Sequence, residues 1–86
     1  MIKIYKKSFD DHIEWRREDN NLLHREGGPA IEWANGNKYW CYNGKLHRAD
    51  GPAVQFLENI KQYHLNGKFY PGINSDEEWI IFQIIN

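Results

Sequence analysis

The sequence lacks most of what marks a catalytic, secreted or membrane-spanning chain. It holds a single cysteine, Cys41, in 86 residues, so no intramolecular disulfide is available. That usage fits a reducing compartment. No stretch approaches the roughly 20 apolar residues a membrane helix needs, and the opening "MIKIYKKSFDDH" has no sustained apolar segment of the signal-peptide kind. The expectation is a soluble cytoplasmic protein without membrane contact. There is no serine in an elbow motif, no glycine-rich phosphate loop, and no CxxC or HExxH spacing. The pattern points away from an enzyme and from a bound metal or cofactor. Net charge is nearly absent too, with 11 Lys and Arg against 12 Asp and Glu.

That balance conceals an asymmetry. Asp76, Glu77 and Glu78 cluster near the end of the chain, while residues 1–75 carry all 11 basic residues against 9 acids. The body is weakly basic, which permits a nucleic-acid partner without demanding one. Aromatics are plentiful: 4 Trp, 5 Tyr and 4 Phe. They suit a thin sheet, in which each ring buries a large apolar area from few positions.

The strongest signal is a repeat. "LHREGGPA" at Leu23–Ala30 returns as "LHRADGPA" at Leu46–Ala53, a period of 23 residues. Asn43-Gly44-Lys45 returns as Asn66-Gly67-Lys68, Ile31 and Trp33 as Val54 and Phe56, and Trp40 and Tyr42 as Tyr63 and Leu65. Each copy reads as one supersecondary unit whose apolar face its neighbour covers. The chain is expected to form one domain over residues 1–86. Residues 1–22 are a degenerate leading copy, 23–45 and 46–68 are the clear repeats, and the pattern stops after Tyr70.

Within a copy, apolar and polar residues alternate with period two, which describes strands. Asn35-Gly36 has the chemistry of a two-residue hairpin turn, and Glu58-Asn59 stands at its place in the second copy with a different or looser turn. In that register Trp33, Trp40, Tyr42, Phe56, Tyr63 and Leu65 share one covered face, and Cys41 lies on the wetter one. The octapeptides fall between hairpins, where Gly28-Pro29 and Gly51-Pro52 punctuate the return to the next strand. "NSDEEWIIFQIIN" differs in kind: Ser75 with Glu78 is a capping box, so residues 75–85 form a closing helix. The predicted fold is mainly β, an antiparallel meander of hairpin repeats with a short C-terminal helix.

Two constellations carry possible chemistry. His24-Arg25 and His47-Arg48 each stand beside an acid, Glu26 or Asp50, but a catalytic site seldom recurs at a structural period. The arginines and acids are expected to brace the turns while each histidine packs or bonds backbone. Nor do His12, His24, His47, His64 and Cys41 make a metal set, because equivalent positions two strands apart are roughly 9–10 Å apart, too far for a shared zinc. The basic residues are the better candidates. Lysine and arginine spaced among Tyr and Trp on a sheet resemble a phosphate-tracking surface with stacking rings. Lys6, Lys7, Arg16 and Arg17 come first, being outside the strict repeat, followed by Lys38, Lys45, Arg48 and Lys68.

The repeat itself, "NGKLHRADGPA" with its less perfect copy "LLHREGGPA", resembles the short NGKLHREDGPA-type repeats of small tailed-phage proteins. Within that group the chain is similar to the TifA-type antitoxins of T-even phages. The resemblance implies a counter-defence protein in the host cytoplasm that neutralises a ToxN-type endoribonuclease toxin, with RNA taking part in the association. It implies no catalytic residue. The alternative is a protein-only interaction module that binds a host protein through its aromatic sheet or acidic tail. A chain this short with so apolar a tail is also expected to form a homodimer.

Overall fold

The computed structural model describes residues 2–57 and 60–85. The alternating segments form ten short strands: β1 (Ile4–Ser8), β2 (His12–Arg17), β3 (Ile31–Trp33), β4 (Lys38–Tyr39), β5 (Cys41–Tyr42), β6 (Lys45–Leu46), β7 (Val54–Phe56), β8 (Ile60–Gln62), β9 (His64–Leu65) and β10 (Lys68–Phe69). One helix, α1 (Asp76–Ile85), closes the chain. Six strands make an antiparallel sheet in the order β1-β2-β3-β4-β7-β8, while β5-β6 and β9-β10 form separate two-stranded ribbons. The fold is the expected mainly β, meander-like arrangement with a short C-terminal helix.

The period of 23 is visible in the hydrogen bonds. Ala30 N–H donates to Tyr39 O at 2.7 Å, as Ala53 N–H donates to Gln62 O at 2.8 Å. Gly44 N–H reaches Leu23 O and Gly67 N–H reaches Leu46 O, both at 2.8 Å. Each ribbon turns through Asn-Gly with both residues left-handed: φ is 51° and 80° at Asn43-Gly44, 50° and 87° at Asn66-Gly67. These are the two-residue turns whose twist matches paired strands.

The turn at Asn35-Gly36 departs from the expected one. Only Gly36 is left-handed, at φ 98°. Gly36 N–H bonds Trp33 O, and Trp33 N–H bonds Asn37 O, so the loop has three residues instead of two. The extra residue shifts the register by one, pairing Ile31 with Tyr39. A one-residue shift moves a strand's side chains to the other face. Trp33 and Phe56 therefore lie on the face opposite Trp40 and Tyr63, and the single shared face expected for all six residues is corrected. Tyr42, expected to be covered, is 38% exposed, and Cys41, expected on the wetter face, is buried. The second-copy turn at Glu58-Asn59 lies outside the described residues.

One face carries a row that runs across the sheet: Lys6, Trp15, Ala30, Trp40, Ala53, Tyr63. Ala30 and Ala53 are fully buried, and their small side chains leave room between the rings. The opposite face carries Ile31, Tyr39, Val54 and Phe56, with the Tyr39 and Phe56 rings edge to face at 6.1 Å. The result is a thin body, 35 × 32 × 17 Å.

Helix α1 begins where the sequence places it. Ser75 Oγ accepts the Glu78 N–H and the Glu78 carboxylate accepts the Asn74 N–H, each at 3.1 Å. Three acids in the first turn complement the helix dipole. Trp79, with no exposed surface, packs on Tyr63 and Tyr70 with centroids 5.4 Å away in each case. Its indole N–H donates to Arg48 O at 2.8 Å, and Gln83 Nε2 donates to Ala49 O at 2.7 Å. The helix thus caps the end of the repeat.

Candidate functional site

Four letters of the octapeptide, the histidine, the arginine and the Gly-Pro pair, have a local physical role. His24 Nδ1 accepts the Asn43 N–H at 3.0 Å, and His47 Nδ1 accepts the Asn66 N–H at 2.9 Å. Each histidine thereby holds the Asn-Gly turn of the ribbon that follows it. The Arg25 guanidinium carbon lies 3.8 Å from the Trp15 ring centroid, and that of Arg48 lies 4.0 Å from Trp40. Their Nη1 groups donate to Pro29 O and Pro52 O, at 3.1 and 3.3 Å. A Cβ on Gly28 or Gly51 would stand 2.9 Å from the guanidinium carbon, so glycine is what lets the arginine lie over its ring. The histidines and arginines brace the turns as the recurrence suggests, but the neighbouring acid does so in one copy only: Arg48 bonds Asp50, whereas Arg25 pairs with Glu32 and Glu26 stays exposed.

The basic candidates divide by residue type. Arg16 bonds the Glu14 carboxylate at 2.7 Å and Asn21 O at 2.7 Å. Arg17 holds Asp19 at 2.8 Å and reaches Asn43 Oδ1 at 2.6 Å. Arg25 pairs with Glu32 at 3.2 Å and Arg48 with Asp50 at 2.9 Å. All four arginines are occupied within the chain. Arg16 and Arg17, expected to be least needed for the fold, instead tie the first hairpin to its neighbours. The lysines behave differently: among the described residues none of the seven has an ion-pair partner, and all are exposed.

Their placement follows the register. Lys6 pairs opposite Trp15, with its Nζ 5.9 Å from that ring centroid. Lys38 stands between Glu32 and Gln55, and Gln55 pairs with Lys61. Lys6, Lys38 and Lys61 therefore share the face of the tryptophan row. Lys7 lies on the other face beside Glu14. Lys45 and Lys68 extend along the ribbons, Lys68 with its Nζ 5.2 Å from the Tyr70 ring centroid. The lysine row is complete only with Lys61, which the sequence pattern did not single out because its neighbours resolve only once the strand register is known.

The acidic cluster is largely spent on structure. Tyr63 Oη donates to Asp76 Oδ1 at 2.7 Å, and Glu78 caps the helix. Burial, then the Asp76 bond, pushes the Tyr63 phenol up to about 12. Burial likewise pushes the Cys41 thiol up to about 11. Such a thiol is protonated at neutral pH and is not an activated nucleophile. Among the described residues no three His, Cys, Asp or Glu gather as a metal site.

A second cluster escaped sequence reading. His12 stacks between Phe9 and Trp33, with centroids 4.5 and 4.4 Å away. Its nitrogens contact Asp11 at 2.7 Å and Glu14 at 2.9 Å. Asp11 first, then Glu14, raises the imidazole above its usual range. The cross-strand pairing of His12 with Trp33 creates this contact, and no local motif announces it.

Two clefts of about 450 Å³ each open beside the repeated loops. The first lies over Trp15, between β1 and the first octapeptide, and is lined by Ile4, Lys6, His24 and Arg25. The second lies between the two octapeptides, with Trp40, Tyr42 and His47 along its floor and wall. No protein-family model, curated protein or solved structure matches the chain.

Proposed function

We propose that the protein is a non-enzymatic RNA-binding inhibitor: a phage-encoded counter-defence antitoxin acting on a host endoribonuclease toxin of the ToxN type. The observation that supports RNA as partner is the division between cations. Arginine side chains are satisfied inside the fold, whereas seven exposed lysines have no carboxylate partner among the described residues, and three of them share a face with an aromatic row. Lysine acts as a point charge that follows a phosphate backbone without reading bases. An RNA-cleaving toxin must itself present a basic groove, and a bridging RNA removes the repulsion between two basic surfaces.

The test is direct. Charge reversal of Lys6, Lys38 and Lys61 together is expected to weaken single-stranded RNA binding across unrelated sequences and to reduce the salt dependence, by a slope of about 0.7 per lost phosphate contact. Wild-type protein that elutes free of nucleic acid, shows no salt-dependent RNA binding and still inhibits the toxin would refute the reading. The protein-only alternative then takes its place, favoured by one observation: Ile80, Ile81, Ile84 and Ile85 on α1 are 44–76% exposed.

A further inference from the structure

The clefts and the helix obey the same period. Moving the second cleft forward by 23 residues converts Trp40, His47, Arg25 and Glu26 into Tyr63, Tyr70, Arg48 and Ala49. That third position is where α1 seats Trp79: the indole packs on Tyr63 and Tyr70, its N–H bonds Arg48 O, and Gln83 bonds Ala49 O. The repeat therefore makes three equivalent clefts, of which the chain fills the last with a flat bicyclic ring bearing an N–H donor. In the second cleft the corresponding carbonyls, Arg25 O and Glu26 O, receive no hydrogen bond from any described residue.

The second cleft is more polar than the third. Glu26 stands where the third has Ala49, His47 where it has Tyr70, and the Arg48 guanidinium lies over the Trp40 ring, where the third has Pro71. A helix like α1 would press its Phe82, which packs on Tyr70 in the third cleft, against His47 and the neighbouring charges here. A ring that is flat on both faces and polar along its edge suits them: it can stack on Tyr42, His47 or a guanidinium plane and donate an edge N–H to the free carbonyls. Lys45, paired opposite Tyr42, stands beside the cleft.

We propose that the cleft between the two octapeptides takes one unstacked purine base of a single-stranded RNA, stacked over the Arg48 guanidinium that covers Trp40 and donating an edge N–H to the Arg25 or Glu26 carbonyl. This rests on the RNA reading and names the site where that reading gains base preference. Phosphate contacts come from the free lysines and the base contact from the cleft.

The experiment compares oligo-adenylate with oligo-cytidylate of about ten nucleotides by fluorescence anisotropy, using the full chain. Wild type is expected to bind oligo-adenylate about fivefold tighter, a modest fraction of what a stacked base contributes. Ala49→Trp, which fills the cleft from an exposed position, and Tyr42→Ala, which removes its wall, are each expected to abolish that preference while keeping the salt slope. Thermal melts and near-ultraviolet circular dichroism verify that both variants fold. A wild type that binds both oligomers equally with a steep salt slope overturns the purine site and leaves RNA binding standing. A preference that survives Ala49→Trp also overturns it. Protein that binds neither oligomer overturns both readings, and capture of a synthetic Ser75–Ile85 peptide, lost in Ala49→Trp, would assign the cleft to a protein helix instead.

Discussion

Arg48 lies over Trp40, its guanidinium carbon 4.0 Å from the ring centroid, because Gly51 presents no side chain to displace it. The same contact joins Arg25 to Trp15 beside Gly28. Gly51→Ala places a methyl 2.9 Å from that carbon, so the arginine must swing away and lose both its ring and the Pro52 carbonyl. The expected cost is about 1–3 kcal/mol. It is not additive with Arg48→Ala, since both remove one contact. Denaturant melts of the two single variants and the double variant measure the coupling, and full additivity would show that glycine serves another purpose.

His47 and Asn66 make the second test. The imidazole supplies the acceptor for a turn N–H, so His47→Ala leaves that donor to solvent and loosens the β9-β10 ribbon. Stability is expected to fall by about 1 kcal/mol, and amide exchange at Asn66 and Gly67 to accelerate more than at Val54 in the sheet. Uniform acceleration across all three amides would contradict the assigned role.

How far these relations were legible in the sequence depends on their range. The Gly-Pro and Asn-Gly signals announce turns because their chemistry is local, and Ser75 with Glu78 announces the helix for the same reason. The His24 to Asn43 bond spans 19 residues, so the octapeptide showed a device without showing its partner. The sequence leaves the face of Trp33 open because Asn35-Gly36 fits a two-residue turn as readily as a three-residue loop that needs only Gly36 left-handed. Hydrophobic alternation could not arbitrate. Both faces of this sheet carry large apolar side chains, Trp40 and Tyr63 on one, Tyr39 and Phe56 on the other. Charge alone does not distinguish an arginine held by Asp19 from a lysine with no carboxylate partner among the described residues.

That distinction makes a third prediction. Arg17→Glu sets a negative charge beside Asp19 and removes the bond to Asn43, so it is expected to lower the thermal midpoint. Lys6→Glu, at an exposed position without an ion-pair partner among the described residues, is expected to change stability by no more than about 0.5 kcal/mol. Equal thermal midpoints for the two variants would show that the arginine contacts are incidental.

Two histidines give the stability opposite slopes with pH. Burial lowers the pKa of His64 below the usual 6.5, so the unfolded chain takes up the proton first. Its contribution is present above pH 6.5 and falls as pH drops through the lowered value. For His12, bonds to Asp11 and Glu14 raise the pKa above 6.5, so its contribution is full below 6.5 and lost as pH rises through the raised value. His64→Cys, the residue the repeat uses at Cys41, is expected to flatten the acid limb of a plot of thermal midpoint against pH. His12→Gln is expected to flatten the limb above 6.5. An acid limb unchanged in His64→Cys would assign it to other groups.

The last prediction concerns the outer face of α1. Trp79 turns inward, while Ile80, Ile81, Ile84 and Ile85 stand 44%, 49%, 76% and 74% exposed. Positions three and four apart adjoin on a helix surface, so 80, 81, 84 and 85 form one continuous apolar strip. A strip of this kind on so small a body is a contact surface more than a solvated one. A two-fold pairing of this strip with itself is the simplest way to cover it, because a self-complementary face needs no second partner. We expect a homodimer at about micromolar concentration, and a monomer once Ile81→Glu and Ile84→Lys are combined. Neither side chain is inside the fold, so the double variant should retain its circular dichroism, with a thermal midpoint that no longer depends on protein concentration. Light scattering is the readout. A monomeric wild type would leave the strip free for another protein, and a double variant that stays dimeric would move the interface elsewhere, to the open edge strands β1 or β8.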